Sequence, residues 1–181
     1  EIAVKATLAC GYVGAGTVEM LYDPASVDFY FLEMNTRLQV EHPITELVTG
    51  FDLVREQINI ARGEHINIDQ RRVKHRGHAI ECRIYAEDAE SGFLPDTGVI
   101  ERLTQPSGPG VRVDSGVETG SEVGVYYDPL VAKLAVWDVD RASAIKRMHR
   151  ALSEYRISGF KTTIPFARWV MENERFRSGD Y

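Results

Sequence analysis

Apolar positions along the 181 residues change period several times. From Glu1 to Cys10 they fall at helical spacing (Ile2, Ala3, Ala6, Leu8, Ala9), and Gly11 marks the stop. Gly14 to Asp23 reads as a strand after a glycine turn, Pro24–Ser26 as turn chemistry, and Val27–Asn35 as a second strand. The pair predicts a hairpin. After a polar loop, Ile44–Thr49 reads as a short helical turn ending at Gly50. Asp52 then caps a helix with Leu53, Val54, Gln57, Ile58 and Ala61 on one face, and Gly63 stops it.

The pattern changes near residue 64. His65–His78 is polar and basic and reads as a linker. Ala79–Asp88 is strand-like, and Gly92–Gly124 is rich in glycine and proline, with short β-like pieces at Val99–Leu103 and Val111–Val113. Leu130–Trp137 predicts another strand. Asp140 caps a long helix whose stripe is Ile145, Met148, Leu152 and Tyr155, and a last helix covers Ile164–Met171. The layout is α+β with mostly antiparallel pairing and flanking helices, divided into residues 1–63 and 64–181.

Composition narrows the function classes. The apolar share of 44% can bury a core. The net charge of −6 gives no case for nucleic acid or an anionic membrane as partner. No apolar run approaches a membrane span. Cys10 and Cys82 lack metal-ligand spacing; a lone disulfide between them has no support, and a reducing compartment is the default. The sequence begins at Glu1 inside a helical pattern, which suggests a fragment whose N-terminal part, with any targeting segment, is missing.

The hairpin carries the first candidate chemistry. Side chains alternate along a strand, so Phe29, Phe31, Glu33 and Asn35 are expected on one face, and Thr17, Glu19 and Leu21 on one face of the neighbour. Glu19 and Glu33 can then sit side by side. Two close carboxylates need a proton, a cation or a metal. Mg²⁺ suits them, with Asn35 adding a neutral oxygen. The alternative is that each Glu pairs with a surface Lys or Arg.

Arg37, Gln39 and Glu41 follow with period two and would project to one side of an extended segment. Arginine offers a planar fork of donors for a small oxyanion, glutamine adds a donor or acceptor, and a carboxylate kept ionised beside Arg37 can take a proton. A solvated polar loop is the alternative. His42, held toward extended geometry by Pro43, is expected to make a structural hydrogen bond. Arg83 stands mid-strand on the same face as Glu81, either as an ion pair at an edge or as a cation aimed into a site. The run Arg71–Arg76 reads as a solvated linker.

Four ordered blocks, "GYVGAGTVEML", "FLEMNTRLQVEHPITELVTGFDLVREQI", "GHAIECRIYAED" and "YYDPLVAKL", closely resemble biotin carboxylase, the ATP-grasp component of biotin-dependent carboxylases. The resemblance covers essentially the whole chain. It implies the C-terminal part of an ATP-grasp domain over residues 1–63, then the biotin carboxylase C-terminal domain over 64–181. It also implies a reaction in which ATP phosphorylates bicarbonate to carboxyphosphate, whose breakdown yields CO₂ for N1′ of biotin on a carrier.

By that similarity Glu19, Glu33 and Asn35 bind Mg²⁺ (or Mn²⁺), with Glu19, Glu33 and Leu21 beside ATP. Arg37, Gln39 and the Val40 backbone bind bicarbonate, Glu41 deprotonates it, Arg37 is also catalytic, and Arg83 stabilises the biotin enolate. Implied partners are a biotin carboxyl carrier protein or domain, a carboxyltransferase, and a second copy through the C-terminal domain, where Arg112 matches an interface arginine. "YYDPLVAKLAVW" leans toward acyl-CoA carboxylases, and the location is cytoplasmic, or the mitochondrial matrix in a eukaryote.

The turn "DPASVD" is longer than in some family members, which changes only a loop. The family's glycine-rich lid and phosphate-holding lysines lie in parts absent from these 181 residues, so this polypeptide alone is expected neither to hydrolyse ATP nor to carboxylate biotin. Two other readings remain: a different ATP-grasp ligase, which would not be expected to carry the Arg–Gln–Glu loop or "ECR", and a non-catalytic dimerisation module.

Overall fold

A computed structural model describes residues 2–181, so the first residue of the predicted N-terminal helix lies outside it. The chain divides into two compact units, one running to Lys74 and the other from His75 to Tyr181. The division falls inside the polar, basic stretch.

The first unit opens with α1 (Ile2–Ala9), closed at Gly11 in the left-handed region. Strands β1 (Thr17–Asp23) and β2 (Asp28–Asn35) form an antiparallel hairpin. Asp23 shapes its turn. Its carboxylate accepts from the Ala25 backbone N–H at 2.9 Å and the Ser26 hydroxyl at 3.0 Å, and these bonds hold its pKa below the usual carboxylate value. Two helices follow, α2 (His42–Thr49) and α3 (Leu53–Ala61). Gly50 ends α2 in the left-handed conformation, and the Asp52 carboxylate accepts from Arg55 N at 2.8 Å to start α3. His42 is already helical, contrary to the extended geometry expected before Pro43. The first turn of a helix tolerates proline because its N–H has no intrahelical acceptor there.

The second unit is built on a three-stranded antiparallel sheet in the order β3 (His78–Tyr85), β10 (Leu130–Asp138), β8 (Val111–Ser115). Alternation divides the sheet into two faces. Ile84, Leu134 and Val136 point to the core, where they meet Ile145, Met148, Leu152 and Tyr155 of α4 (Arg141–Glu154) and Ile164 and Met171 of α5 (Ile164–Glu172). The predicted stripe of α4 is therefore the buried one, and Asp140 caps it by accepting from Ser143 N at 2.7 Å. The other face carries Glu81, Arg83, Lys133, Arg112 and Asp114. Arg83 lies across from Lys133, and Lys133 from Asp114.

Short strands surround this sheet in pairs: β4 (Glu87–Asp88) with β5 (Leu94–Pro95), β6 (Gly98–Val99) with β9 (Glu122–Val123), and β7 (Arg102–Thr104) with β11 (Arg156–Ser158). They enclose a smaller core of Ala86, Ile100 and Val131. Gly159 permits the crossing beside β6: a side chain there would meet the Val99 carbonyl oxygen at 1.8 Å, and its φ is +117°. A last helix, α6 (Glu174–Ser178), starts at Asn173, whose side chain accepts from Arg175 N and Phe176 N. Cys10 and Cys82 are both free thiols. Cys82 packs against the core, and burial, with Glu81 adding to it, pushes its thiol up to about 12.

Candidate functional site

The hairpin register places Glu19 directly across from Glu33, and Thr17 across from Asn35. Beyond that pair the register shifts by one residue: Met20 faces Phe31 and Leu21 faces Tyr30, leaving Leu32 as the extra residue of a β-bulge. Cross-strand partners share a face, so Tyr30 joins the face of Glu19 and Leu21, while Phe31 turns to the other side with Met20. The expectation that Phe29 and Phe31 share the face of Glu33 fails here, because one inserted residue reverses every side chain beyond it. The carboxylate pair lies on the open side of the bulge and keeps its alignment.

Asn35 joins the two carboxylates to the loop. Its amide nitrogen donates to Glu19 Oε1 at 2.6 Å and lies 3.5 Å from Glu33 Oε1. Its amide oxygen accepts from Arg37 Nη2 at 3.2 Å. One side chain thus connects an acidic pair with a guanidinium. The amide is turned opposite to the expectation that it would offer its oxygen beside the carboxylates; here that oxygen goes to Arg37. The donor set of two carboxylates and an amide still fits a hard divalent cation, since rotating the amide about χ2 exchanges nitrogen for oxygen at the same place. Among the described residues, no group of three His, Cys, Asp or Glu side chains could hold a metal ion.

The loop after Asn35 is not extended. It bends at Arg37 and turns at Val40–Glu41, so Arg37, Gln39 and Glu41 do not follow straight period-two geometry. Arg37 Nη1 also reaches the Leu38 carbonyl at 3.4 Å. The turn is held by His42, whose backbone N–H donates to the Gln39 carbonyl at 3.2 Å and whose Nδ1 lies 2.9 Å from the same oxygen. That contact requires the proton on Nδ1, and it is the structural role expected of this histidine. Glu41 occupies the N-cap of α2 without capping it through its side chain, while the buried Pro43 anchors the first turn. Leu21, 60% exposed, stands two residues along β1 from Glu19.

Arg83 belongs to the second unit. Its Nη1 lies 3.4 Å from the Tyr85 hydroxyl on the same face of β3. In the next strands, Arg112 holds Asp114 with two bonds, 2.8 and 2.9 Å, and Lys133 lies 3.5 Å from Asp114. These cations lower the Asp114 pKa even though its partial burial, the largest single influence, acts to raise it. Thr163 is the buried polar residue beneath this region, and the sequence pattern did not single it out. It precedes the Ile164 helix start, where threonine is common for capping alone, so composition gives no cue to its partner on β3. The Arg71–Arg72 pair is tied to Asp69 and is almost fully exposed.

Comparison with known proteins gives matches over both units. The model of the biotin carboxylase C-terminal domain matches residues 81–181, and that of the carbamoyl-phosphate synthase L chain ATP-binding domain matches residues 1–69. A pyruvate carboxylase subunit from Methanothermobacter thermautotrophicus is 57% identical over 98% of this chain, which spans 36% of that protein. The biotin carboxylase of a Nostoc species is 54% identical over 99% of the chain, which spans 40% of it. Among solved structures, the biotin carboxylase domain dimer of Hydrogenobacter thermophilus 2-oxoglutarate carboxylase, in complex with MgADP, ADP and bicarbonate, superimposes with a TM-score of 0.94. It is 48% identical, and the match covers 98% of this chain and 39% of that one. The chain therefore spans well under half the length of the relatives it matches.

Proposed function

Because this chain belongs to the family of the biotin carboxylase C-terminal domain, we propose that it forms part of an ATP-dependent biotin carboxylase, a ligase that phosphorylates bicarbonate and passes the resulting CO₂ from carboxyphosphate to biotin on a carrier protein or domain. Residues 1–63 supply the end of its ATP-grasp domain and 64–181 its C-terminal domain. The observation that carries this reading is the hydrogen-bonded string Glu19–Asn35–Arg37 with Glu33 beside it: a hard-cation donor set joined directly to an oxyanion-binding guanidinium.

Glu19, Glu33 and Asn35 would hold Mg²⁺ or Mn²⁺, with Leu21 against the nucleotide base; an ion bound there would supply charge neutralisation for the transferring phosphoryl group. Arg37, Gln39 and the Val40 backbone orient bicarbonate. Glu41, at the head of α2, takes its proton so that the anion attacks as a better nucleophile. Arg83 answers the negative charge that develops on the ureido oxygen of biotin. A carboxyltransferase completes the pathway and selects the acyl acceptor; the lean toward acyl-CoA substrates has support from relatives named for methylcrotonoyl-CoA, beside one named for pyruvate. A homodimer through the second unit, with Arg112 at the contact, and a cytoplasmic or matrix location go with this reading. Among the described residues, no helix is long and apolar enough to cross a membrane.

The test uses the complete protein that carries these residues, supplied with ATP, bicarbonate and free biotin. ADP release should depend on bicarbonate and rise with biotin, and Glu33→Gln should remove it. ATP turnover indifferent to both bicarbonate and biotin contradicts the assignment and points to another ATP-grasp ligase. The 181-residue polypeptide alone should show no turnover.

A further inference from the structure

Thr163 stands at the N-cap of α5, a position where threonine ordinarily accepts from a backbone N–H of its own helix. It makes no such bond. Its hydroxyl instead donates to the Arg83 carbonyl at 3.2 Å and accepts from the Tyr85 N–H at 3.0 Å. Its backbone N–H donates to the Tyr85 carbonyl at 3.1 Å. Three hydrogen bonds from one residue, 6% exposed, thus bracket the backbone of Arg83–Tyr85. They occupy the outer edge of β3, which among the described residues has β10 as its only sheet neighbour. Arg83 itself lies near the end of β3, and its guanidinium reaches the Tyr85 hydroxyl whose backbone Thr163 fixes.

An arginine on an edge strand has outer backbone groups that no neighbouring strand pairs. A misplacement of about 1 Å in a charge-stabilising group can cost on the order of a hundredfold in rate. We propose that Thr163 is a positioning residue for Arg83: it clamps the end of β3 so that the guanidinium and the Tyr85 hydroxyl present a fixed cation and a fixed polar edge to the biotin being carboxylated. The inference rests on the assignment of Arg83 above and adds Thr163, with Tyr85, to the apparatus. It accounts for a hydroxyl diverted from the helix it precedes. It also explains why the loop before α5 is held to the sheet at the level of Arg83.

The experiment measures two activities in the complete protein: biotin-independent ATP hydrolysis in bicarbonate, and carboxylation of free biotin. For Thr163→Val, the ratio of biotin carboxylation to ATP hydrolysis should fall about tenfold, as expected when an interaction made in one transition state is weakened. Thr163→Ser, which keeps the hydroxyl, should restore the ratio. Thermal melts of both variants establish that the folded protein is being compared. An unchanged ratio in folded Thr163→Val, or an equal loss of both activities, overturns the inference. Arg83→Met separates the two claims. If it abolishes biotin carboxylation while Thr163→Val leaves the ratio unchanged, the clamp is wrong and the Arg83 assignment stands. If Arg83→Met carboxylates biotin normally, the Arg83 assignment fails and the clamp falls with it.

Discussion

The two units solve the same packing problem unequally. In the second, a sheet buries one face under two helices, and residues such as Leu134, Met148 and Leu152 are wholly removed from solvent. In the first, Pro43 and Val48 are the buried residues among those described, and the hairpin exposes Leu21, Tyr22, Phe29, Tyr30, Phe31 and Leu32 over both faces. A two-stranded ribbon with no covered face is marginal by itself. Yet this less self-sufficient unit carries the carboxylate pair, Asn35, Arg37 and Glu41. The groups assigned to the metal and to bicarbonate are thus all in the first unit, and the second contributes Arg83 with Thr163 and Tyr85 beside it.

The largest expected effect separates the units outright. Residues 75–181 produced alone should unfold in a single cooperative transition, and residues 1–74 should show none, as followed by far-UV circular dichroism in urea. Cooperative unfolding of the shorter piece would erase the contrast.

Within the intact chain, Leu134→Ala should cost about 3 kcal/mol through lost burial and a cavity. Phe31→Ala, at a position 61% exposed, should stay within about 0.5 kcal/mol. Equal losses would mean that the hairpin is packed as tightly as the sheet.

A smaller effect belongs to the second unit alone. Asp88 accepts from Lys161 Nζ at 2.7 Å and from the Ser91 hydroxyl, and these bonds lower its pKa to about 2. Its stabilising contribution is present above the unfolded value of about 4 and disappears as pH falls toward 2. The same pair raises the Lys161 pKa, so its contribution is also lost at strongly alkaline pH. Denaturant titrations of wild type and Lys161→Met should differ most between these limits and converge below about pH 2. A constant difference down to that pH would show that the ion pair is not the cause.

Much of the second unit was legible in the sequence because long, regular elements announce themselves. Asp140 with Ile145, Met148, Leu152 and Tyr155 predicts α4 and its buried stripe, and Leu130–Trp137 predicts the central strand. The two-residue strands β4, β5, β6 and β9 are too short to show a period, and β11 and α6 are little longer. In the first unit the facing of Glu19 and Glu33 follows from a short hairpin turn. The bulge at Leu32 does not, since Phe29–Leu32 are four apolar residues in a row and offer no alternation whose break could mark the inserted one. Composition likewise cannot say which way an amide turns, so the Asn35 orientation needed the Arg37 contact to define it. The turn at Val40–Glu41 is held by His42 closing onto the Gln39 carbonyl, a contact between polar groups that any solvated loop could also contain.

Glu41, placed after that turn at the head of α2, is the group assigned to take the proton from bicarbonate, and the proposed chemistry stands or falls with it. Bicarbonate-dependent ATP hydrolysis by Glu41→Gln in the complete protein tests this most directly. A loss of about a hundredfold or more, with the fold retained, is the predicted result. Activity within about twofold of wild type would contradict it, because a general base cannot be replaced by an uncharged amide without consequence.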